Sequence, residues 1–179
     1  MTTVFFDVDT QLDFMFPSGA LYVPGAETIV ERVAALNRHA MANGIPLIST
    51  MDAHAENDPE FAIYPHHCVA GTLGQRKPPA TVVGQTILEK QKLDCFTNPS
   101  LVPLLEELGA EHCVVYGVVT EICVRLAATG LLKMGRRVEI VTDAVRSLSE
   151  EASRSWLEEF RSAGGGVIEM DAALKRRAG

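Results

Sequence analysis

Residues 112–134 read HCVVYGVVTEICVRLAATGLLKM, and this stretch decides the fold. His112 to Tyr116 form an apolar run of strand length, and the segment from Glu121 onward is apolar on nearly every face, as a buried helix is. A strand that passes at once into a buried helix is half of a βαβ unit. Working outward, runs of strand length near 3–8, 45–50, 85–89, 112–117, 137–142 and 166–169 alternate with amphipathic stretches near 26–43, 99–108, 121–134 and 149–163. That alternation predicts an α/β protein of three layers: a Rossmann-like, six-stranded, mostly parallel sheet with helices on both faces. Gly44 closes the first helix, Asn98 with Pro99 opens the second, and Ser147 with Glu150 makes a capping-box pattern for the last.

A chain of 179 residues suits one domain over 1–179, long enough to bury about 70% of its unfolded surface without staples. The formal net charge of −7 argues against a nucleic-acid or anionic-membrane surface, since both need concentrated positive charge. No apolar run approaches the roughly 18 residues of a membrane span, and the N-terminus enters a strand pattern without the charged and apolar regions of a signal peptide. A cytoplasmic protein with a small-molecule partner is the expectation, with no nucleic acid and no membrane. Cys68, Cys95, Cys113 and Cys123 lie far apart without a C-x-x-C pair, so they read as free thiols.

Residues 51–84 carry three of the five histidines, several prolines and little periodicity. A connection that long inside a compact domain is functional or disordered. Ligands of doubly wound sheets bind just beyond the carboxyl ends of the strands, and Asp9, Asp52, Lys90, Thr120 and Cys123 all fall at or just after expected strand ends. Cys123 would sit in the first turn of a helix, where unpaired N–H groups and the macrodipole favour thiolate and offer donors to an oxyanion. A small apolar filler is the competing reading. Asp9 can take a thiol proton or merely cap a turn. Lys90 can steady a thiolate or be a solvated charge. Asp52 and His54, two apart, can converge on one ion with His67 from the far side of the loop. One carboxylate and two imidazoles suit a divalent metal ion such as zinc, manganese or iron, although loop histidines are often just solvated. Glu60 is a candidate fourth ligand.

Together VFFDVDTQLDF, TMDAH, YPHHCV, EKQKLDCF and GVVTEICVRLAATGLLKMGRRVEIVTDAV resemble the isochorismatase-like cysteine hydrolases, and within them the nicotinamidases. The resemblance covers almost the whole chain. It implies the isochorismatase-like fold, an Asp9-Lys90-Cys123 catalytic triad, and a metal held by Asp52, His54 and His67, with Glu60 matching a fourth ligand seen in some members. It also implies a cis peptide at Val118-Val119 beside the oxyanion site, substrate held between Phe14 and Tyr64, and a homo-oligomer. The implied reaction is hydrolysis of nicotinamide to nicotinate and ammonia through a thioester on Cys123, with another small amide or ureido compound as the alternative substrate. A separate reading comes from Phe5-Phe6-Asp7-Val8-Asp9-Thr10, which resembles the first motif of haloacid-dehalogenase phosphatases. Strict strand alternation turns Asp7 and Asp9 to one side, as that chemistry needs, but leaves Cys123, Lys90 and the histidines without a role. A non-catalytic binding protein on the same fold is the third reading, and the intact triad argues against it.

Overall fold

The structure is a computed structural model that describes residues 1–178. Its strands are β1 (Thr2–Val8), β2 (Leu47–Asp52), β3 (Thr86–Lys90), β4 (Ala110–Val118), β5 (Arg137–Arg146) and β6 (Gly166–Ile168). They form one six-stranded sheet in the order β3-β2-β1-β4-β5-β6. Every pairing is parallel, so the mostly parallel sheet of the sequence reading is parallel throughout. The helices are α1 (Leu12–Met15), α2 (Val30–Ala42), α3 (Leu101–Glu107), α4 (Arg125–Lys133), α5 (Glu150–Ser162) and α6 (Met170–Ala173). Two of these, α1 and α6, are four residues long, too short for a 3.6-residue period to register in sequence. No helix among the described residues is long and apolar enough to cross a membrane.

Several boundaries differ from expectation, the second long helix opening at Ser100 and Leu101 rather than at Asn98 and Pro99 among them, and three have a plain physical reason. Strand β2 starts two residues late, at Leu47, because Pro46 has no N–H to give to the ladder, and it runs on to Asp52, which pairs with Lys90. The last long helix is capped by Ser149, not Ser147: the Ser149 hydroxyl accepts from the Ala152 N–H at 3.2 Å. Strand β5 extends to Arg146 because its register against β4 jumps between Val115 and Gly117, and the extra residues form a bulge that lets the ladder resume.

In β1 every residue from Thr3 to Val8 is buried, as a strand covered on both faces must be. Phe5, Phe6, Tyr116, Ile48 and Ile140 anchor the core around it, each large apolar side chain contributing about 1.5–3 kcal/mol by burial. Gly117 marks the closest backbone approach: a Cβ there would lie 2.1 Å from the Val8 carbonyl oxygen, and its φ of +117° suits only glycine. The chain thus crosses tightly over the end of β1. Strand order reverses between β1 and β4, which opens a crevice beyond their carboxyl ends.

Candidate functional site

That crevice is floored by residues from four strand ends. The motif Asp9-Thr10-Gln11-Leu12-Asp13-Phe14 follows β1, and its polar members do separate jobs. The Gln11 amide accepts from the Asp52 N–H at 2.7 Å and donates to the carbonyls of Asp52 at 2.8 Å and Gln75 at 2.9 Å. Asp13 accepts the N–H of Cys68 at 2.7 Å, next to His67. The long 51–84 segment is therefore tied at Asp52, Cys68 and Gln75 to the residues that follow β1, and an isolated parallel bridge between His54 and Val69 closes it further. Asp9 has a φ of +50°, which turns it out of the strand pleat.

Asp9, Lys90 and Cys123 meet at the bottom of the crevice, each nearly fully buried. The Lys90 ammonium lies 2.8 Å from Asp9 Oδ2, 2.5 Å from Asp52 Oδ1 and 3.9 Å from Cys123 Sγ. Thr50 donates to Asp9 Oδ1 at 2.6 Å. Asp9 Oδ2 has the ion pair but no well-directed hydrogen bond, so it keeps a lone pair to offer. Burial raises the Asp9 carboxyl above its ordinary range and the nearby Asp52 charge adds to this, while Lys90 and Thr50 pull the other way. Burial also pushes the Cys123 thiol well up; Lys90 opposes that, and Asp9 and Asp52 reinforce it. This departs from the thiolate expected of a helix terminus. Cys123 does stand in the first turn, a π turn over Thr120–Val124 that leads into α4, but burial and two carboxylates outweigh the dipole. At rest the proton stays on sulfur with a base beside it. Burial would lower Lys90, but Asp9, Cys123 and Asp52 hold it well above the usual lysine value, so it remains charged.

Asp52 uses its two oxygens differently. Oδ1 takes Lys90, while Oδ2 faces His54 Nε2 at 3.8 Å and His67 Nε2 at 4.0 Å. His67 Nε2 is also 3.9 Å from Glu60 Oε1. The donor atoms of Asp52, His54 and His67 lie within 4.8 Å of one another, a spread that bonds of about 2.0–2.2 Å to a shared ion can span. His54 Nε2 is fully buried with no hydrogen-bond partner, a cost of about 1–3 kcal/mol for a neutral group that an ion would relieve. The residues present therefore fit a divalent metal. A second grouping of His54, Asp58 and Glu60 shares His54 with the first, and the 3.1 Å contact of Asp58 with His54 Nδ1 is a hydrogen bond, not a separate site.

Between the thiol and the histidines lies a small, mostly apolar pocket. Its walls are Phe14, Leu21, Val23, Tyr64, Leu93, Val118, Val119, Ile122 and Leu148, its polar edges are Asp9, Asp52, Glu60, His67 and Cys123, and no lysine or arginine lines it. The rings of Phe14 and Tyr64 flank His67, with centroids 5.5 and 6.3 Å away. The Val118-Val119 peptide is cis. The crevice gathers Asp9, Lys90 and Cys123, the cluster of Asp52, His54, His67 and Glu60, and Phe14, Tyr64, Val118 and Val119, whereas Asp7 of the phosphatase reading lies apart with Lys77. Reasoning from sequence missed Thr50, Asp58 and the walls Leu21, Val23, Leu93, Ile122 and Leu148. Thr50, two residues before Asp52 at a strand end, and Asp58, before a proline, carried a local signal. Leu148 carried none, since it is placed by Glu121, whose carboxylate accepts the N–H groups of Leu148 at 2.9 Å and Ser149 at 2.8 Å.

Fold and sequence pattern together define the class. Residues 3–172 match the model of the isochorismatase domain, and the chain belongs to that family. A pyrazinamidase of Pyrococcus horikoshii, solved in complex with zinc, superposes with a TM-score of 0.89 at 30% identity over 94% of this chain and 99% of that one. A maleamate amidohydrolase of Pseudomonas putida is 25% identical over 94% of this chain and 84% of its own length. A nicotinamidase of Escherichia coli is 25% identical over 84% of this chain and 87% of its own length. The chain is an amidohydrolase of the isochorismatase family.

Proposed function

We propose that the protein is a metal-assisted nicotinamidase, converting nicotinamide and water to nicotinate and ammonia through a thioester on Cys123. The observation that carries this reading is the meeting of Cys123, Asp9 and Lys90 at one end of an apolar pocket whose other end is the Asp52, His54 and His67 cluster. Asp9 Oδ2 takes the thiol proton as sulfur attacks the amide carbon, and backbone N–H groups of Val119 and Cys123 hold the oxyanion. Lys90 stays protonated and offsets the charge that passes from Asp9 to sulfur to oxygen. Asp9 returns its proton to the departing ammonia and leaves an acyl thioester. A water then gives its proton to Asp9 and attacks the thioester; nicotinic acid departs and the thiol regains the proton.

A zinc, manganese or iron ion held by Asp52, His54, His67 and Glu60 supplies, when bound, an electrophilic site for a ring nitrogen. Phe14 and Tyr64 sandwich the ring, and orientation by these walls brings the amide carbon to sulfur. The side chains of the lining support an uncharged substrate. No lysine or arginine lines the pocket, and the nearby Lys90 is already paired with Asp9 and Asp52, so no side-chain cation is free to receive a substrate carboxylate, which supports an uncharged amide over maleamate or a ureido acid.

Ammonia release from nicotinamide, maleamate and a carbamoyl amino acid, measured beside the metal content of the purified protein, tests this. Fast turnover of nicotinamide by metal-loaded protein is expected. Preference for either carboxylate-bearing substrate would overturn the substrate assignment, and full activity in metal-free protein would remove the ion from it.

A further inference from the structure

We infer that Asp58 is a positioning residue whose two oxygens preset two ligands at once: Oδ2 fixes His54 and Oδ1 fixes the turn that carries Glu60. This rests on the metal reading above. Asp58 Oδ2 lies 3.1 Å from His54 Nδ1, and Oδ1 accepts the Glu60 N–H at 2.9 Å. Asp58 is the N-cap of the short 3-10 turn Pro59–Ala62, on which Glu60 stands. It is buried, and so is His54.

A carboxylate can only accept. Its contact therefore commits Nδ1 of the neutral imidazole to carry hydrogen and leaves the lone pair on Nε2. Nε2 is the atom left without a partner, and it faces Asp52 Oδ2. The geometry thus places a metal-competent lone pair where an ion would sit. His67 reaches the same state by another route: its Nδ1 lies 2.7 Å from the Pro65 carbonyl, an acceptor that no side-chain change removes. Asp58 is the side chain that meets Nδ1 of a ligand histidine, and it carries the cap of a second candidate ligand on its other oxygen. Outer partners of this kind typically matter by about 10–100-fold in metal affinity.

Two variants separate the two jobs. Asp58→Ser keeps a capping hydroxyl for the Glu60 N–H but is too short to reach His54. Asp58→Asn keeps the shape but owns one acceptor. If its oxygen stays on the Glu60 N–H, its NH₂ faces Nδ1 and drives the hydrogen to Nε2; if it flips, the cap is lost.

The experiment uses metal-free full-length protein and zinc alone, with affinity read by chelator competition. The His54 tautomer is read from ring ¹⁵N shifts at a pH where the ring is neutral. Parent protein should show hydrogen on Nδ1 and an open Nε2. Both variants should bind zinc about 10–100-fold more weakly, with Asp58→Asn also showing hydrogen moved to Nε2 or mixed between the nitrogens. Parent-like zinc affinity in Asp58→Ser together with an unchanged tautomer in Asp58→Asn would overturn the role of Asp58. If the parent itself binds no zinc, the metal reading falls while the tautomer comparison still decides what Asp58 does. Should Asp58→Asn fail to fold, the affinity of Asp58→Ser decides alone.

Discussion

Two buried lysine–carboxylate pairs start two residues apart, at Asp7 within β1 and at Asp9 just past its end, and they are built to opposite ends. Asp7 faces Lys77 at 3.3 Å and accepts in addition from Thr10 at 2.7 Å, Ser49 at 2.8 Å and Asn37 at 3.2 Å. Lys77 also donates to Thr10 at 3.0 Å, and Tyr116 completes Asn37 at 2.6 Å. Asp7 does not line the pocket between the thiol and the histidines. Asp9 faces Lys90 at a shorter distance, 2.8 Å, yet its Oδ2 lacks a directed donor and it opens on the pocket beside a thiol. The lesson is that a buried ion pair by itself says little about chemistry. A saturated pair is architecture, and a pair with an atom left over beside a cavity is reactive. The contrast also removes the phosphatase reading, because the left-handed turn at Asp9 takes it off the side of the sheet that Asp7 faces.

The largest test of this comparison is at the open pair. Cys123→Ala and Lys90→Met should each lower kcat/KM for nicotinamide by about 10⁴-fold or more, and circular dichroism of Cys123→Ala should match the parent. Retained turnover in either would place the chemistry elsewhere. Lys77→Met should do the reverse. It strands Asp7 as an uncompensated buried charge and should cost about 3–5 kcal/mol of stability in urea, with kcat/KM per folded molecule close to the parent. A Lys77 variant that is stable but inactive would erase the distinction between the pairs. Removing the ion by chelation should cost on the order of 10²-fold in kcat/KM, the size expected when positioning is lost, and zinc should restore it without changing the Lys77 network.

The smallest effect is on pH. Asp9 must be ionised to accept a proton, and burial raises its pKa above 3.8, so the acidic limb of kcat/KM should fall above the ordinary carboxylate range. Activity is present above that raised value and lost as pH drops through it. Thr50→Val removes a hydroxyl bond that opposes the rise, so its limb should move to higher pH. A limb that moves down, or stays put, would assign the titration to another group.

Much of this was legible because parallel strands deliver their chemistry at their ends. Knowing that Asp9, Lys90 and Cys123 follow apolar runs was enough to bring them to one edge, and the glycine at 117 marks where the edge folds closely on itself. Distinguishing Asp9 from Asp7 was not legible, since period-2 alternation assigns both to one side and only a positive φ separates them. The balance of effects on the Cys123 proton was not legible for a related reason: the dipole of its helix is a local property, whereas the burial and the two acids that oppose it come from the fold around it, at the ends of β1 and β2. The wall Leu148 escaped because it is held by Glu121, 27 residues away in sequence. Asp58 was within reach, as a carboxylate four residues after a candidate ligand and just before a proline.

Acid-quenched protein caught during turnover of nicotinamide and analysed by peptide mass spectrometry tests the central claim most directly. A nicotinoyl group on the peptide containing Cys123, appearing before steady state and absent from Cys123→Ala, is the predicted result. Ammonia released at the full rate with that sulfur never acylated would contradict it.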